Sequence, residues 1–402
     1  MNAFTRILEE YADSAMGAGV SARITHRGED IYRGAAGYAD IESKKPLSCD
    51  AVIRIFSLSK MVNAAAALKL FEQGYFTLDD PVHKFIPAFK EATVLSYFNR
   101  DVPLVKPAKN DVTMRHLFTM TAGYAYPQIA VMAETPRRYM DAAAHSTKVF
   151  TRLIEEREQG LTLTTQKMAE ALATIPMCFE PGEGFVYGLC ADILGGVTEA
   201  ICGKKLGQYM HDEIFKPLGM RDTTFHPSEA QTDRAATIYN CRDLSDVTPF
   251  HASGLKSSIV RDSEGALEIC IGGLYSTLDD YSTFIQMLGN GGSYEGKRIL
   301  GRKTVELMTM DHLTETQYAD FKKMWSPRGN ASWGLMTRVT TSLKNSPHAF
   351  FPGTFGWGGA AGTLAVADPG EGLTLTLMTQ RVPSYSYGVM TKLMQAAYAA
   401  ID

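Results

Sequence analysis

Strand-like stretches near both ends of the chain bracket a middle that reads mostly as helix. Val20 to Thr25 and Asp30 to Gly34 flank the turn His26-Arg27-Gly28-Glu29, the pattern of a hairpin. Leu364 to Ala367 and Leu373 to Thr379 are apolar and β-branched, with the turn cluster Asp368-Pro369-Gly370-Glu371-Gly372 between them. The middle carries helical patterns at Ser57 to Gly74, Thr113 to Met120, Glu134 to Gly160 and Ala191 to Cys202. An amphipathic pattern from Met1 to Met16 opens the chain, and Tyr387 to Ile401 closes it. Strands so far apart in sequence bury their apolar faces most economically in one shared sheet. The expected fold class is therefore α+β. An antiparallel sheet made from both ends is flanked by helices, and a helical domain is inserted. The expected division is 1–56 with 266–402 for the sheet domain and 57–265 for the mostly helical one, with the active site at their interface.

Composition narrows the function classes. The 402 residues carry 40 Lys plus Arg against 44 Asp plus Glu, a net charge of −4 without a basic patch. Nucleic acid is therefore not an expected partner. No run of about 18 apolar residues exists, so a membrane is not expected either. The start of the chain lacks the apolar core of a signal peptide. The six cysteines contain no CxxC pair, and they read as free thiols of a cytoplasmic protein. No HExxH, GxGxxG or GxxxxGK[ST] occurs, so neither a metal nor a nucleotide cofactor is expected. Composition leaves the oligomeric state open, a homodimer being one option.

The sharpest chemical signal is Ser57-Leu58-Ser59-Lys60, at the start of an Ala-rich helix. Positions i and i+3 share a helix face, so Ser57 and Lys60 would lie side by side in the first turn. A helix N-terminus stabilises negative charge, and a lysine in a dry site can lose its proton and act as a base. The competing reading is an N-cap serine with Lys60 reaching out to water. A second SxxK, Ser253 to Lys256, lies in a polar segment with no apolar helix behind it and reads as loop. No GxSxG elbow is present, so an α/β-hydrolase reading fails at its main motif.

Seven blocks in order extend the signal beyond that motif. They are RIFSLSKMVNAAAALKLFEQGYFTLDDPV from Arg54, VTMRHLFTMTAGY at 112–124, FEPGEGFVYG at 179–188 and IFKPLGMRDTTF at 214–225. GGLYSTLDDYSTFIQMLGNGG at 272–292, SWGLMTRV at 332–339 and GWGGAAG at 356–362 complete the set. Through them the chain resembles the serine β-lactamase and penicillin-binding-protein superfamily, with class C β-lactamases and family VIII carboxylesterases nearest. The resemblance implies Ser57 as nucleophile, Lys60 as its lysine and Tyr187 as the catalytic tyrosine. A phenol held beside an ammonium can serve as general base toward Ser57. Where the family has Tyr-x-Asn, Tyr187 is followed by Gly188 and Leu189, so the asparagine is missing. A literal Tyr97-Phe98-Asn99 lies upstream, out of block order, and reads as coincidence.

The family's Lys-Thr-Gly edge is replaced by Trp357-Gly358-Gly359, as in family VIII esterases. That lysine helps hold a substrate carboxylate, whereas a Trp-Gly-Gly edge offers an apolar wall suited to a neutral ester. The competing reading of Trp357 is a packed aromatic at a domain seam. The resemblance further implies an oxyanion hole from the amides of Ser57 and Ala360. The expected function is a serine hydrolase cleaving short-chain carboxylic esters, a small-molecule ester being its partner. The alternatives are a β-lactamase or D,D-peptidase, an acyltransferase, and a non-catalytic binding member. His83 and His116 read as structural, and Arg381 as a solvated loop residue in preference to an anion contact near the site.

Overall fold

The computed structural model describes residues 2–14, 17–98, 102–127, 136–243, 246–250, 267–325, 330–344, 350–384 and 386–401. The two ends of the chain do share one sheet. Its strands are β1 (Val20–His26), β2 (Glu29–Ala36), β3 (Ala331–Trp333), β4 (Arg338–Thr340), β5 (Phe355–Gly358), β6 (Leu364–Asp368) and β7 (Leu373–Thr379). Their spatial order is β3-β4-β5-β6-β7-β1-β2, antiparallel throughout. The join between the two ends is β1 on β7, with Val20 opposite Thr379 and His26 opposite Leu373.

Every residue of β7 is buried, because helices cover both faces of the sheet at its centre. Val20, Ala22 and Ile24 of β1 and Leu373, Leu375 and Leu377 of β7 share one core with the helix α1 (Ala3–Ser14) and the closing helix Ser386–Tyr398. The opposite face meets the helix Leu278–Gly289. There the Thr25 and Thr374 hydroxyls pair at 2.7 Å, so each buried hydroxyl satisfies the other. This double burial explains why the threonines that alternate with the leucines of β7 are buried as well.

The second core surrounds α2 (Ser59–Glu72). Its residues 59–68 are all buried, which is what an Ala-rich helix without a polar face requires. The helix α3 (Cys190–Cys202) packs against it and ends on Gly203, at φ +66°. The middle of the chain is less helical than its pattern suggested. Thr93–Phe98 and Val102–Pro107 form a hairpin, and Tyr239–Asp243 with Asp246–Pro249 form another. The first leaves no mark in the sequence because Val102, Pro103, Leu104 and Val105 lie exposed, so no buried alternation defines the strand. No described helix is long and apolar enough to cross a membrane.

Candidate active site

The segment leading into α2 is gripped from several sides. Ile53–Arg54 pairs with Tyr275–Ser276, and the Ile55 amide donates to the Leu274 carbonyl at 3.0 Å. Phe56 then takes φ +47°, a left-handed conformation that is unfavourable for a bulky side chain. Its surroundings hold it there. The Arg54 guanidinium lies 4.9 Å over the Phe56 ring, and its Nε donates to the Gly272 carbonyl at 3.1 Å. A Cβ on Gly272 would stand 3.2 Å from Phe56 Cα, so only glycine fits comfortably beside this turn.

Ser57 follows at once, in the short 3-10 turn Phe56–Leu58 ahead of α2. It is not a helix cap: Leu58 occupies that position, and no side chain caps α2. Tyr281 Oη donates to the Leu58 carbonyl, and the Leu274 amide donates to Ser59 Oγ, so the turn is tied to the 274–281 segment. Lys60 does not reach water, being 0 % exposed. Its Nζ donates to Ser57 Oγ at 3.0 Å and to the Ile271 carbonyl at 2.8 Å. The Ser57 hydroxyl donates to the same carbonyl at 3.3 Å. One backbone oxygen from far along the chain thus orients both groups.

Above Lys60 lies a set of aromatic rings. Its Nζ stands 4.9 Å from the Tyr187 ring centroid and 5.7 Å from that of Tyr126, distances suited to cation–π attraction. Tyr187 Oη accepts a hydrogen bond from Trp357 Nε1 at 2.8 Å. Trp357 is therefore both an apolar wall and a donor that fixes the phenol. All three tryptophans of the chain converge here. Trp325, Trp333 and Trp357 have ring centroids 5.0, 6.0 and 5.3 Å from that of Tyr187. Trp325 alone of them is exposed, forming the outer edge of the cluster. Burial raises the Tyr126 hydroxyl well above the ordinary phenol range.

The turn after β5 brings Gly358, Gly359 and Ala360 to the same place. The Thr363 hydroxyl donates to the Ile55 carbonyl at 3.0 Å, pinning this turn to the segment that precedes Ser57. A Cβ on Gly359 would sit 2.1 Å from Thr363 Oγ1 and 2.5 Å from the Ile55 carbonyl oxygen, which excludes any side chain. Ala360, at the tip, is exposed. Gly188, after Tyr187, is equally constrained: its Cβ would fall 1.8 Å from the Tyr124 carbonyl oxygen. Leu189, in the place of the family's asparagine, points into the core.

Three participants lie outside the sequence expectations. Ile271 contributes only its backbone, which no side-chain pattern reveals. Asp192 of α3 is wholly buried, and its Oδ1 accepts the amides of Cys270 and Ile271 at 2.9 and 3.2 Å. Burial pushes its carboxyl up to about 7, against the opposing pull of the Lys60 charge. An aspartate in the apolar first half of the helical stretch, Cys190 to Val197, is the available signal for it. Trp325 is the third, marked only by the rarity of tryptophan in this chain.

Other candidates fall away from this site. The Ser253 to Lys256 motif and Asn99 lie outside the described residues, and Tyr97 Oη donates instead to Asp141 at 2.9 Å. His116 Nδ1 accepts the Thr113 amide in a capping box, and burial lowers it to about 4. Arg381 is neither a solvated residue nor an anion contact at this site. It is 4 % exposed, with its guanidinium 5.8 Å from the Tyr11 ring centroid. The strand Arg381–Val382 pairs with Tyr239–Asp243, which draws the arginine inward. All six cysteines are free. Among the described residues, no group of three or more His, Cys, Asp or Glu is arranged to hold a metal ion.

Comparison with known proteins places the chain in a family. The family model described as Beta-lactamase matches residues 4–399. Protein Rv1367c of Mycobacterium tuberculosis is 30% identical over 385 residues, covering 94% of this chain and 90% of its own. Esterase EstB of Burkholderia gladioli is 27% identical over 401 residues, covering 95% and 91%. Among solved structures, EstCE1, a hydrolase with promiscuous acyltransferase activity, superimposes with a TM-score of 0.78. It is 23% identical, covers 98% of this chain and 97% of its own, and so speaks for the fold.

Proposed function

The chain belongs to the beta-lactamase family of serine hydrolases, and on that premise we propose that it cleaves short-chain carboxylic esters through an acyl-enzyme on Ser57. The observation that carries this reading is the contact between Lys60 Nζ and Ser57 Oγ, 3.0 Å apart in a site walled by Trp357 and Tyr187. Ser57 Oγ attacks the ester carbonyl. As the Oγ–C bond forms, Lys60 and Tyr187 carry the Ser57 proton toward the leaving alcohol. The ester C–O bond breaks, and the alcohol leaves protonated. Water then attacks the acyl-enzyme with Tyr187 as base; the acyl C–O bond to Ser57 breaks, Tyr187 passes the proton it took on to Ser57 Oγ, and the acid leaves. The oxyanion is held by the amides of Ser57 and Ala360, each such donor being worth about 3 kcal/mol.

Trp357, Gly358 and Gly359 form the substrate-side edge. An indole that already donates to Tyr187 offers no cation for a substrate carboxylate, which favours neutral esters over β-lactams and peptides. EstB, an esterase by name, supports the same substrate class. The test is a panel of p-nitrophenyl esters of graded chain length, a chromogenic cephalosporin and a D-amino-acid peptide, read against Ser57→Ala. The variant is expected to lose hydrolysis of p-nitrophenyl butyrate. Full activity in it, or a cephalosporin preferred over every ester, overturns the proposal.

A further inference from the structure

Asp192 has no part in the reaction just described, yet its placement is chemically expensive. A carboxyl group withdrawn wholly from water must be matched by partners. Here only one oxygen is matched. Oδ1 accepts the Cys270 and Ile271 amides, whereas Oδ2 is buried with no hydrogen-bond partner among the described residues. A helix cap or a loop brace would be served as well by an asparagine, and at lower cost.

The Ile271 backbone explains the location. Its amide donates to Asp192, and its carbonyl accepts from both Lys60 Nζ and Ser57 Oγ. The two groups belong to neighbouring peptide units joined at the Ile271 Cα, so anchoring the amide fixes where the carbonyl points. Asn63 reinforces the frame. One helical turn beyond Lys60, its Nδ2 donates to the Ala191 carbonyl at 2.8 Å, locking α2 to α3 next to Asp192. The groups that face Asp192 electrostatically are Lys60 from α2, Cys270 from the 267–273 segment, Cys190 from its own helix and Tyr126 from the 121–127 segment. Only Lys60 among them is a cation.

We propose that Asp192 is a positioning residue for Lys60, acting by anchoring the Ile271 backbone and through its own negative charge. It touches neither substrate nor Ser57. It sets where Lys60 Nζ sits and places a buried carboxyl group beside the Ser57–Lys60 pair. The inference rests on the Ser57–Lys60 reading of the site and is independent of which ester is cleaved. Burial raises the Asp192 carboxyl while Lys60 pulls it down, so the two groups sense each other's charge.

The test uses Asp192→Asn, whose amide oxygen can still accept both backbone donors while the charge is gone. Labelling of Ser57 by a fluorophosphonate is followed as a function of pH, which needs no knowledge of the substrate. Loss of the carboxylate removes the negative charge that faces the Ser57–Lys60 pair, so the rising limb of the labelling profile moves to lower pH, by about one unit. Asp192→Ala also abandons the two amides, and labelling on the plateau falls about tenfold. A profile for Asp192→Asn that superimposes on the wild type overturns the proposal, since a merely structural role moves no titration. Should Asp192→Asn not fold, protein labelled with 13C at the aspartate carboxyls decides instead. In Lys60→Met the highest-titrating aspartate resonance moves to still higher pH, and an unmoved resonance overturns the proposal. Normal labelling without ester hydrolysis would sink the substrate reading and leave this one standing. Absent labelling of wild-type Ser57 would sink the nucleophile, and the carbon resonance would still report on Asp192 and Lys60.

Discussion

Replacing Trp357 by Phe removes one hydrogen bond and keeps an aromatic ring in place. The indole donates to Tyr187 Oη at 2.8 Å, and both residues are buried, at 4 % and 9 % exposure. No solvent can easily take over the lost partner. Leaving a buried hydroxyl without its donor costs about 1–3 kcal/mol. If Tyr187 carries negative charge during proton transfer, the bond is stronger in the transition state than at rest. The loss then appears in kcat, as a fall of roughly 5- to 150-fold. The smaller ring also loosens contacts with Trp333 and Trp325, now 4.6 and 5.2 Å away between centroids, at a stability cost on the order of 1–2 kcal/mol. The assay is hydrolysis of p-nitrophenyl butyrate beside urea unfolding, so that activity and stability are read separately. Tyr187→Phe and the double variant complete a cycle. A coupling of about 0.5–3 kcal/mol is expected for groups in direct contact. Unchanged kcat in Trp357→Phe, or strict additivity in the cycle, refutes the reasoning.

Two further perturbations probe the frame of the site. Gly359→Ala forces a Cβ against Thr363 Oγ1 and the Ile55 carbonyl oxygen, so the turn must leave the segment that carries Ser57. Ester hydrolysis should fall at least about tenfold while far-ultraviolet dichroism stays unchanged, overpacking of this kind costing about 1–3 kcal/mol. His116 tests the acid side of stability. Its folded imidazole stays neutral down to about pH 4, whereas the unfolded chain takes up that proton near 6.5. Stability is therefore held above pH 6.5 and lost as the pH falls toward 4, by about 3 kcal/mol in full. His116→Gln keeps an acceptor for the Thr113 amide and does not titrate. Urea unfolding at pH 7 and pH 4 should show the gap between the variant and wild type changing by about that amount. An equal acid loss in both proteins would contradict it.

Much of this molecule was legible in its sequence. The Ser57 and Lys60 spacing placed the two groups side by side, because one turn of a 3-10 or an α helix brings i and i+3 together. The Ala-rich run of α2 points to burial, but whether Lys60 stays inside or reaches water is decided only by the partners that packing brings to it. The hairpin at 20–36 and the strands at 364–379 followed from alternation and turn residues. The hairpin at 93–107 did not, since exposed apolar residues and two prolines mask its period.

What only the tertiary structure decided are the contacts across long separations. The Ile271 carbonyl that orients Ser57 and Lys60 lies more than 200 positions away, and a backbone atom leaves no trace in residue type. The hydrogen bond from the Trp357 indole to Tyr187, 170 positions upstream, is likewise invisible in residue type. It depends on the direction of one N–H, which β5 sets through its register with β6, Trp357 facing Ala365. The partners of Asp192, the Cys270 and Ile271 amides, lie 78 and 79 positions away and meet it only once the chain is packed. Residue pattern dictates which groups must leave water. Only packing dictates which group each of them meets there.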